Sequence, residues 1–267
     1  MSAAEAQQLA RLGGSSTIVQ INPHAWRIRK AAPSEAIALY CDNARIDFAF
    51  VPEGRKFADL ELLAMDMDST LITIECIDEL GDMAGCKSEI ASITAQAMRG
   101  ELDYPQSLRK RVGLLNGLPE SALTRVYEER LRLTPGAEAL TAACKKHDVK
   151  LLLVSGGFTF FTERLKQRLG IDYTISNVLA TRDGKLTGEL VGDIVDASAK
   201  ATKFAAVVAE LGAERAQTVA IGDGANDLKM MALAGLSVAF HAKPVVRAQA
   251  NCAISWCGLD ALLNLYE

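Results

Sequence analysis

The chain has 267 residues, with 33 acidic against 29 basic side chains for a formal net charge of −4, and 49% of its positions are hydrophobic. This excludes a disordered chain and a basic nucleic-acid scaffold, and leaves room for one large domain or a core with smaller attachments. Strictly apolar runs such as 151–154 and 204–209 fall far short of the ~18 residues that cross a bilayer, so no membrane role is expected.

The first residues lack the basic start and apolar stretch of an export signal. The six cysteines, at 41, 76, 86, 144, 252 and 257, form no C-x-x-C pair, so the expectation is reduced thiols in a cytoplasmic protein. His24, His147 and His241 are isolated and cannot build a His-rich metal site.

In chain order, residues 16–21 read as a strand, 34–44 as a helix and 46–51 as a second strand, a small βαβ-like unit, before Pro52-Glu53-Gly54-Arg55-Lys56 as a linker. From about Leu60 onward, apolar runs of strand length alternate with amphipathic stretches, the pattern of a parallel sheet covered by helices. The expected strands are 60–65, 149–154, 218–221, 236–240 and 252–255. Helices are expected at 135–147, with Thr134 as N-cap and Pro135 first, and at 226–234, closing on Gly235. Between the first two core strands, residues 77–133 carry helix-forming sequence broken at Arg99-Gly100, Asp103-Tyr104-Pro105 and Asn116-Gly117-Leu118-Pro119, which reads as a helical insert.

The first core strand ends in Asp66-Met67-Asp68-Ser69-Thr70, two carboxylates two residues apart. In extended geometry they face one side, where repulsion of ~1–4 kcal/mol calls for a divalent cation or a shared proton. An Asx-turn or helix cap is the plainer reading of the same residues. Two further strands end comparably, one in Ser155-Gly156-Gly157 and one in Gly222-Asp223-Gly224-Ala225-Asn226-Asp227. Ligands of open α/β sheets bind outside the carboxyl ends of the strands, so these segments converge on one edge.

Ser155-Gly156-Gly157 reads as a phosphate cradle at a helix start, or as a turn that uses glycine for backbone reasons alone. Carboxylates at such an edge suit oxygen-rich Mg²⁺ coordination. A cation beside the phosphate is also wanted. Lys200, at the head of a helix, is the candidate, with Lys203 competing and a plain surface lysine as the alternative to both.

Taken together and in this order, Asp66-Met67-Asp68-Ser69-Thr70, Ser155-Gly156-Gly157, Lys200 and 222–227 resemble the haloacid-dehalogenase-like phosphatases, over roughly four-fifths of the chain. The resemblance implies a Rossmann-like parallel-sheet core of residues 59–76 and 134–267 with an inserted helical cap at 77–133; residues 1–58 lie outside the shared region and read, from their own pattern, as a small α+β amino-terminal domain. It implies an Asp66 nucleophile that becomes an aspartyl-phosphate, and Asp68 as acid and then base. Mg²⁺ would be held by the Asp66 carboxylate, the Asp68 carbonyl and Asp223, with Asp227 in support. Ser155, the Gly156 N–H and Lys200 would bind phosphoryl oxygens, and Asn226 would position substrate or phosphate.

Through Glu75-Cys76-Ile77-Asp78-Glu79 and residues 100–111, the resemblance narrows to members that hydrolyse O-phospho-L-serine to L-serine and phosphate, the last step of serine biosynthesis. Glu75 and Arg111 would then face the ammonium and carboxylate of the substrate, Arg111 bidentately. Their plainer readings are a first-turn acid near a helix dipole and a solvated helix face. Tyr104 stands where the family commonly has phenylalanine, which adds a hydroxyl to an apolar wall. The expected partner is therefore a small phosphorylated amino acid, with no nucleic acid and no membrane. Residues 1–58 read either as a regulatory or dimer-forming unit, compatible with a homodimer, or as a stabilising appendage.

Overall fold

The computed structural model describes residues 1–267. The amino-terminal segment is helix, hairpin, helix: α1 (Ala3–Leu12), antiparallel β1 (Thr17–Asn22) and β2 (Ala25–Arg29), and α2 (Glu35–Ala44). Ser2 and Glu5 form a capping box that starts α1, and Ser34 caps α2 through the Ile37 N–H. Leu9, Ile37 and Cys41 form its small separate core.

The expected βαβ-like unit is therefore replaced by a helix-flanked hairpin. Residues 46–51 are not a strand. Their alternation is strand-like, but no sheet edge pairs with them. Instead the Asp47 carboxylate accepts the N–H groups of Ser255, Trp256 and Cys257 at 2.7–2.9 Å, and Phe48 packs edge-on against Phe50.

The main sheet has seven strands: β3 (Leu62–Asp66), β4 (Lys150–Phe158), β5 (Tyr173–Arg182), β6 (Lys185–Val191), β7 (Thr218–Gly222), β8 (Leu236–Phe240) and β9 (Cys252–Ile254), in the order β6-β5-β4-β3-β7-β8-β9. All neighbours pair in parallel except β5 and β6. The central strand β3 is buried at every residue, as a parallel strand covered on both faces must be. The β5–β6 ribbon does not figure in the sequence reading. Its polar, half-buried composition hides it, although Asp183-Gly184 is a hairpin signature whose two residues both take positive φ, 51° and 74°.

Between β3 and β4 come α3 (Cys76–Met83), α4 (Lys87–Met98), α5 (Tyr104–Gly113) and α6 (Ser121–Arg125). Asp103 starts α5 through a capping box with Gln106. The helical segment joins the core through the Ile72–Leu133 bridge and reaches the edge ribbon through the Pro119–Lys185 bridge.

The remaining helices are α7 (Ala137–Lys146), α8 (Thr159–Leu169), α9 (Ala197–Leu211), α10 (Leu228–Met231) and α11 (Pro244–Arg247). Helix α7 begins two residues later than expected, with Gly136 rather than Thr134 at its cap, because Thr134 donates its N–H to Leu71 and Pro135 accepts from Leu259. The expected helix at 226–234 is a 3₁₀ turn at Ala225–Asp227 followed by the short α10. Ser155-Gly156-Gly157 likewise does not open a helix: it lies within β4, in an irregularity between Val154 and Phe158, and α8 begins at Thr159. No helix is long and apolar enough to cross a membrane, and all six cysteines are free.

Candidate active site

Strand register gathers the site. Asp66 pairs with Val154 on one side, and Met65 pairs with Ile221 on the other. Ser155 and Asp223 therefore stand just beyond the ladder on either flank of Asp66. All strand ends concerned belong to parallel strands, so all present their carboxyl ends to the same side.

After Asp66 the chain makes a tight turn in which Ser69 takes φ 57°. This turn carries Asp68, whose Oδ1 accepts the Cys76 N–H at 2.9 Å, the first N–H of α3. Asp68 is thus tied to a helix start, although the sequence offers no spacing rule for that contact.

Lys200 lies in the first turn of α9, fixed by Asp196, whose carboxylate accepts the Ser198 and Ala199 N–H groups. Its side chain is 1% exposed, and Nζ sits 2.7 Å from Asp66 Oδ1 and 2.7 Å from Asp227 Oδ1. Lys203, the competing candidate, lies elsewhere, over the Tyr173 ring. Asp227 is fully buried, and its second oxygen accepts the Gly224 N–H at 3.1 Å. The backbone passes from the 3₁₀ turn through Asp227 directly into α10, so Asp227 sits at the head of that short helix with one oxygen turned to Gly224 and the other to Lys200.

The carboxylates of Asp66, Asp223 and Asp227 have oxygens within 4.8 Å of one another. Lys200 is paired with two of the three, Asp66 and Asp227. Burial, then the charge of Asp227, raises the Asp66 pKa well above its ordinary value, against the pull of Lys200. Burial and Asp227 likewise push Asp223 up to about 6. Burial would lower the Lys200 ammonium, but Asp227 and Asp66 outweigh it and hold the pKa raised. Hard oxygen donors with unbalanced negative charge fit a divalent cation, and these three carboxylates are close enough together to hold one.

Asp68 is pushed up to about 7, first by burial and then by the nearby charge of Glu75, with the Cys76 N–H opposing. A carboxyl poised near neutrality can both give and take a proton. Glu75 keeps solvent contact at the mouth and accepts the Ser69 hydroxyl at 2.7 Å. Loss of water raises its pKa, while Ser69, Arg111 and Lys243 oppose the rise.

Arg111 projects from α5, with its Nε donating to the Ser107 carbonyl at 3.4 Å, and its charge is felt at Glu75, Asp78 and Tyr104. Ser155 is wholly buried, and its Oγ accepts the Gly157 N–H at 2.8 Å. Gly156 has no room for a side chain, because the Tyr104 hydroxyl fills that space and donates to the Gly156 carbonyl at 3.2 Å. Burial pushes the Tyr104 pKa up to about 12, so the phenol keeps its proton. Asn226 is half-buried, and its side chain folds over Gly224 rather than reaching Lys200 or Asp66.

The structure thus brings together Asp66, Asp68, Ser155, Gly156, Lys200, Asp223 and Asp227, with Glu75 and Arg111 toward the mouth and Asn226 at the margin. Two polar residues at this edge escape sequence reasoning. Lys243 follows β8, donates its N–H to the Asp223 carbonyl at 3.3 Å and brings a positive charge to Asp223 and Glu75. Its place just after a core strand was the available signal. Asn177 lies on the unrecognised β5 and donates to the Gly156 carbonyl at 2.8 Å.

Residues 63–232 match the haloacid dehalogenase-like hydrolase family. A phosphoserine phosphatase of Polaromonas sp. (strain JS666) is 57% identical over 217 residues, covering 79% of this chain and 92% of that protein. The unliganded crystal structure of a probable phosphoserine phosphatase from Vibrio cholerae superposes with a TM-score of 0.83 at 36% identity, over 99% of this chain and 83% of its own. A phospho-aspartyl intermediate analogue of phosphoserine phosphatase superposes with a TM-score of 0.73 at 38% identity, over 78% of this chain and 99% of its own. The chain therefore belongs to the haloacid dehalogenase-like hydrolases, within the group formed by its phosphoserine phosphatase relatives.

Proposed function

We propose that the protein is a Mg²⁺-dependent phosphatase that hydrolyses O-phospho-L-serine to L-serine and inorganic phosphate through an aspartyl-phosphate on Asp66, as the last step of serine biosynthesis. The observation that carries this reading is the buried Asp66, held by Lys200 at 2.7 Å, with Asp68 two residues on, fixed by the Cys76 N–H and pushed upward by burial.

In the first half-reaction Asp66 attacks phosphorus as the bond from phosphorus to the serine oxygen breaks, and protonated Asp68 gives its proton to that oxygen. In the second, water attacks the same phosphorus, Asp68 takes the proton from water, and the Asp66 carboxylate leaves with its original charge. Lys200 and the Ser155 hydroxyl, with the Gly156 N–H, meet the charge on the phosphoryl oxygens. Bound Mg²⁺, held by the Asp66 carboxylate, the Asp68 carbonyl and Asp223, with Asp227 behind them, would neutralise further phosphoryl charge.

Glu75 and Arg111 would face the ammonium and carboxylate of the amino acid, and Asn226 would line the phosphate side. Residues 77–133 would act as a cap over a core of 59–76 and 134–267, excluding water during turnover. Six free thiols suit a reducing, cytoplasmic setting. Residues 1–58 would form an accessory unit, and the exposed Val19 and Ile21 of its hairpin fit a homodimer, which sedimentation at several concentrations would test.

The deciding experiment follows phosphate and L-serine release from O-phospho-L-serine by the purified protein with Mg²⁺ and with excess EDTA. The expected result is equimolar release that EDTA abolishes and Mg²⁺ restores. Absence of turnover by the Mg²⁺-loaded protein would reject the proposal.

A further inference from the structure

Asn177 lies in the middle of β5 and is 1% exposed. Both ends of its carboxamide are engaged. Oδ1 accepts the Val195 N–H at 2.8 Å, and Nδ2 donates to the Gly156 carbonyl at 2.8 Å. A backbone N–H can only donate, so the Val195 contact fixes which end of the amide is oxygen and which is nitrogen.

The Gly156 carbonyl also receives the Tyr104 hydroxyl at 3.2 Å. The opposite end of that same peptide plane is the Gly157 N–H, which donates to Ser155 Oγ at 2.8 Å. The plane is rigid, so holding its carbonyl sets the direction of its N–H. Ser155 makes no other side-chain hydrogen bond. With one lone pair engaged by Gly157, its hydroxyl proton is left to point away from that N–H.

We propose that Asn177, seconded by Tyr104, is a positioning residue: it clamps the Gly156–Gly157 peptide so that Ser155 presents its proton to the phosphoryl group. This rests on the reading of Ser155 as a phosphoryl donor given above. Two separate pieces of chain meet in the clamp. β5 supplies the buried amide, and α5, from the helical insert, supplies the phenol. The added hydroxyl at position 104 thereby has a partner that phenylalanine would leave with one donor fewer. The Val195 bond precedes Asp196, the cap of the helix that carries Lys200, so Asn177 also borders the second phosphate-facing group.

Asn177→Asp separates the two bonds, because a carboxylate keeps the acceptor for Val195 and removes the donor to Gly156. The test is a double-mutant cycle in the full-length, Mg²⁺-loaded protein, with Asn177→Asp, Ser155→Ala and both together, assayed on O-phospho-L-serine. Asn177→Asp is expected to lower kcat about 10-fold, with KM within about 2-fold, and to add less than about 2-fold once Ser155 is alanine.

Equal losses in both backgrounds would overturn the inference and leave the role of Ser155 intact. If Ser155→Ala alone left kcat/KM unchanged, the phosphoryl-donor reading would itself fail. Should Asn177→Asp not fold, Tyr104→Phe closes the same cycle. Its expected loss of about 3-fold must vanish in the Ser155→Ala background, and persistence there counts against the clamp.

Discussion

At the amino-terminal unit, charged groups close on partners that satisfy them. Arg27 and Arg29 both reach Glu267, at 3.0 and 3.1 Å, and the Asp47 carboxylate receives three consecutive backbone N–H groups from the core. At the carboxyl edge of the main sheet, Asp66 and Asp227 share a single buried ammonium with Asp223 close by and unpaired, and the carboxyls of Asp66 and Asp223 have pKa values pushed upward. The first region is a latch whose electrostatics is complete within the chain. The second leaves a deficit of positive charge in a largely buried cluster, and such a deficit marks where a cation and a charged substrate belong.

Substitutions on the two sides should therefore differ in kind. The largest effect is expected for Asp66→Asn, which keeps the shape of the side chain and removes its nucleophilic oxygen. Phosphate release should fall by more than about 10³-fold while circular dichroism stays unchanged. Near-normal turnover would remove Asp66 from the chemistry.

Lys200→Met leaves Asp66 and Asp227 buried without their cation, which should lower the stability of the metal-free protein by about 3–5 kcal/mol, read as a shifted urea midpoint. Added Mg²⁺ should recover part of that loss.

The pH dependence of the metal-free protein has a definite sign. Asp68 and Asp223 are raised from 3.8 to about 7 and about 6, so between pH 4 and 7 the folded chain holds protons that the unfolded chain has released. Stability should consequently fall as pH rises through that window and level off above it. Mg²⁺ should flatten the slope, adding about 2.7 kcal/mol at one hundred times its dissociation constant. Thermal melts with EDTA and with Mg²⁺, at half-unit pH steps, measure both. A slope that rises with pH in EDTA would contradict the buried carboxyls.

A smaller, selective effect is expected at the mouth. Glu75→Ala and Arg111→Ala should each raise KM for O-phospho-L-serine by about 10-fold, and should leave a phosphomonoester without ammonium or carboxylate, such as p-nitrophenyl phosphate, nearly unaffected. Equal losses on both substrates would assign the two residues to the architecture of the helical insert. The smallest effect belongs to the latch. Asp47→Ala should cost about 1 kcal/mol in unfolding and leave turnover unchanged, because it frees N–H groups at the surface rather than a buried charge.

The legibility of the molecule follows the same divide. Asp66, Asp68 and Asp223 were readable because an apolar strand that stops abruptly in carboxylates or glycine is a local pattern, whereas Lys200, at a helix head, stood beside Lys203 until the family resemblance selected it. Asn177 was not, because β5 is mostly polar and half-buried and its one apolar run, Val178-Leu179-Ala180, is only three residues long. Residues 46–51 misled for the opposite reason, since Ile46-Asp47-Phe48-Ala49-Phe50 alternates like a strand while Asp47 is recruited to cap the 255–257 backbone. The start of α7 moved because the Thr134 N–H is held by the Leu71 carbonyl, a partner that local propensity does not see.

By itself, the sequence determined the alternation of buried strands and helices, the place of the long insert after β3 and the identity of most groups at the sheet edge, since these depend on neighbours along the chain. Only the tertiary structure decided that Lys200 would bridge Asp66 and Asp227, 134 and 27 residues away. It also decided that Asn177 and Tyr104 would meet at one carbonyl, and that Asp47 would fasten the amino-terminal unit. Those contacts depend on strand register and on the burial of charge, and neither quantity exists until distant segments share the same interior.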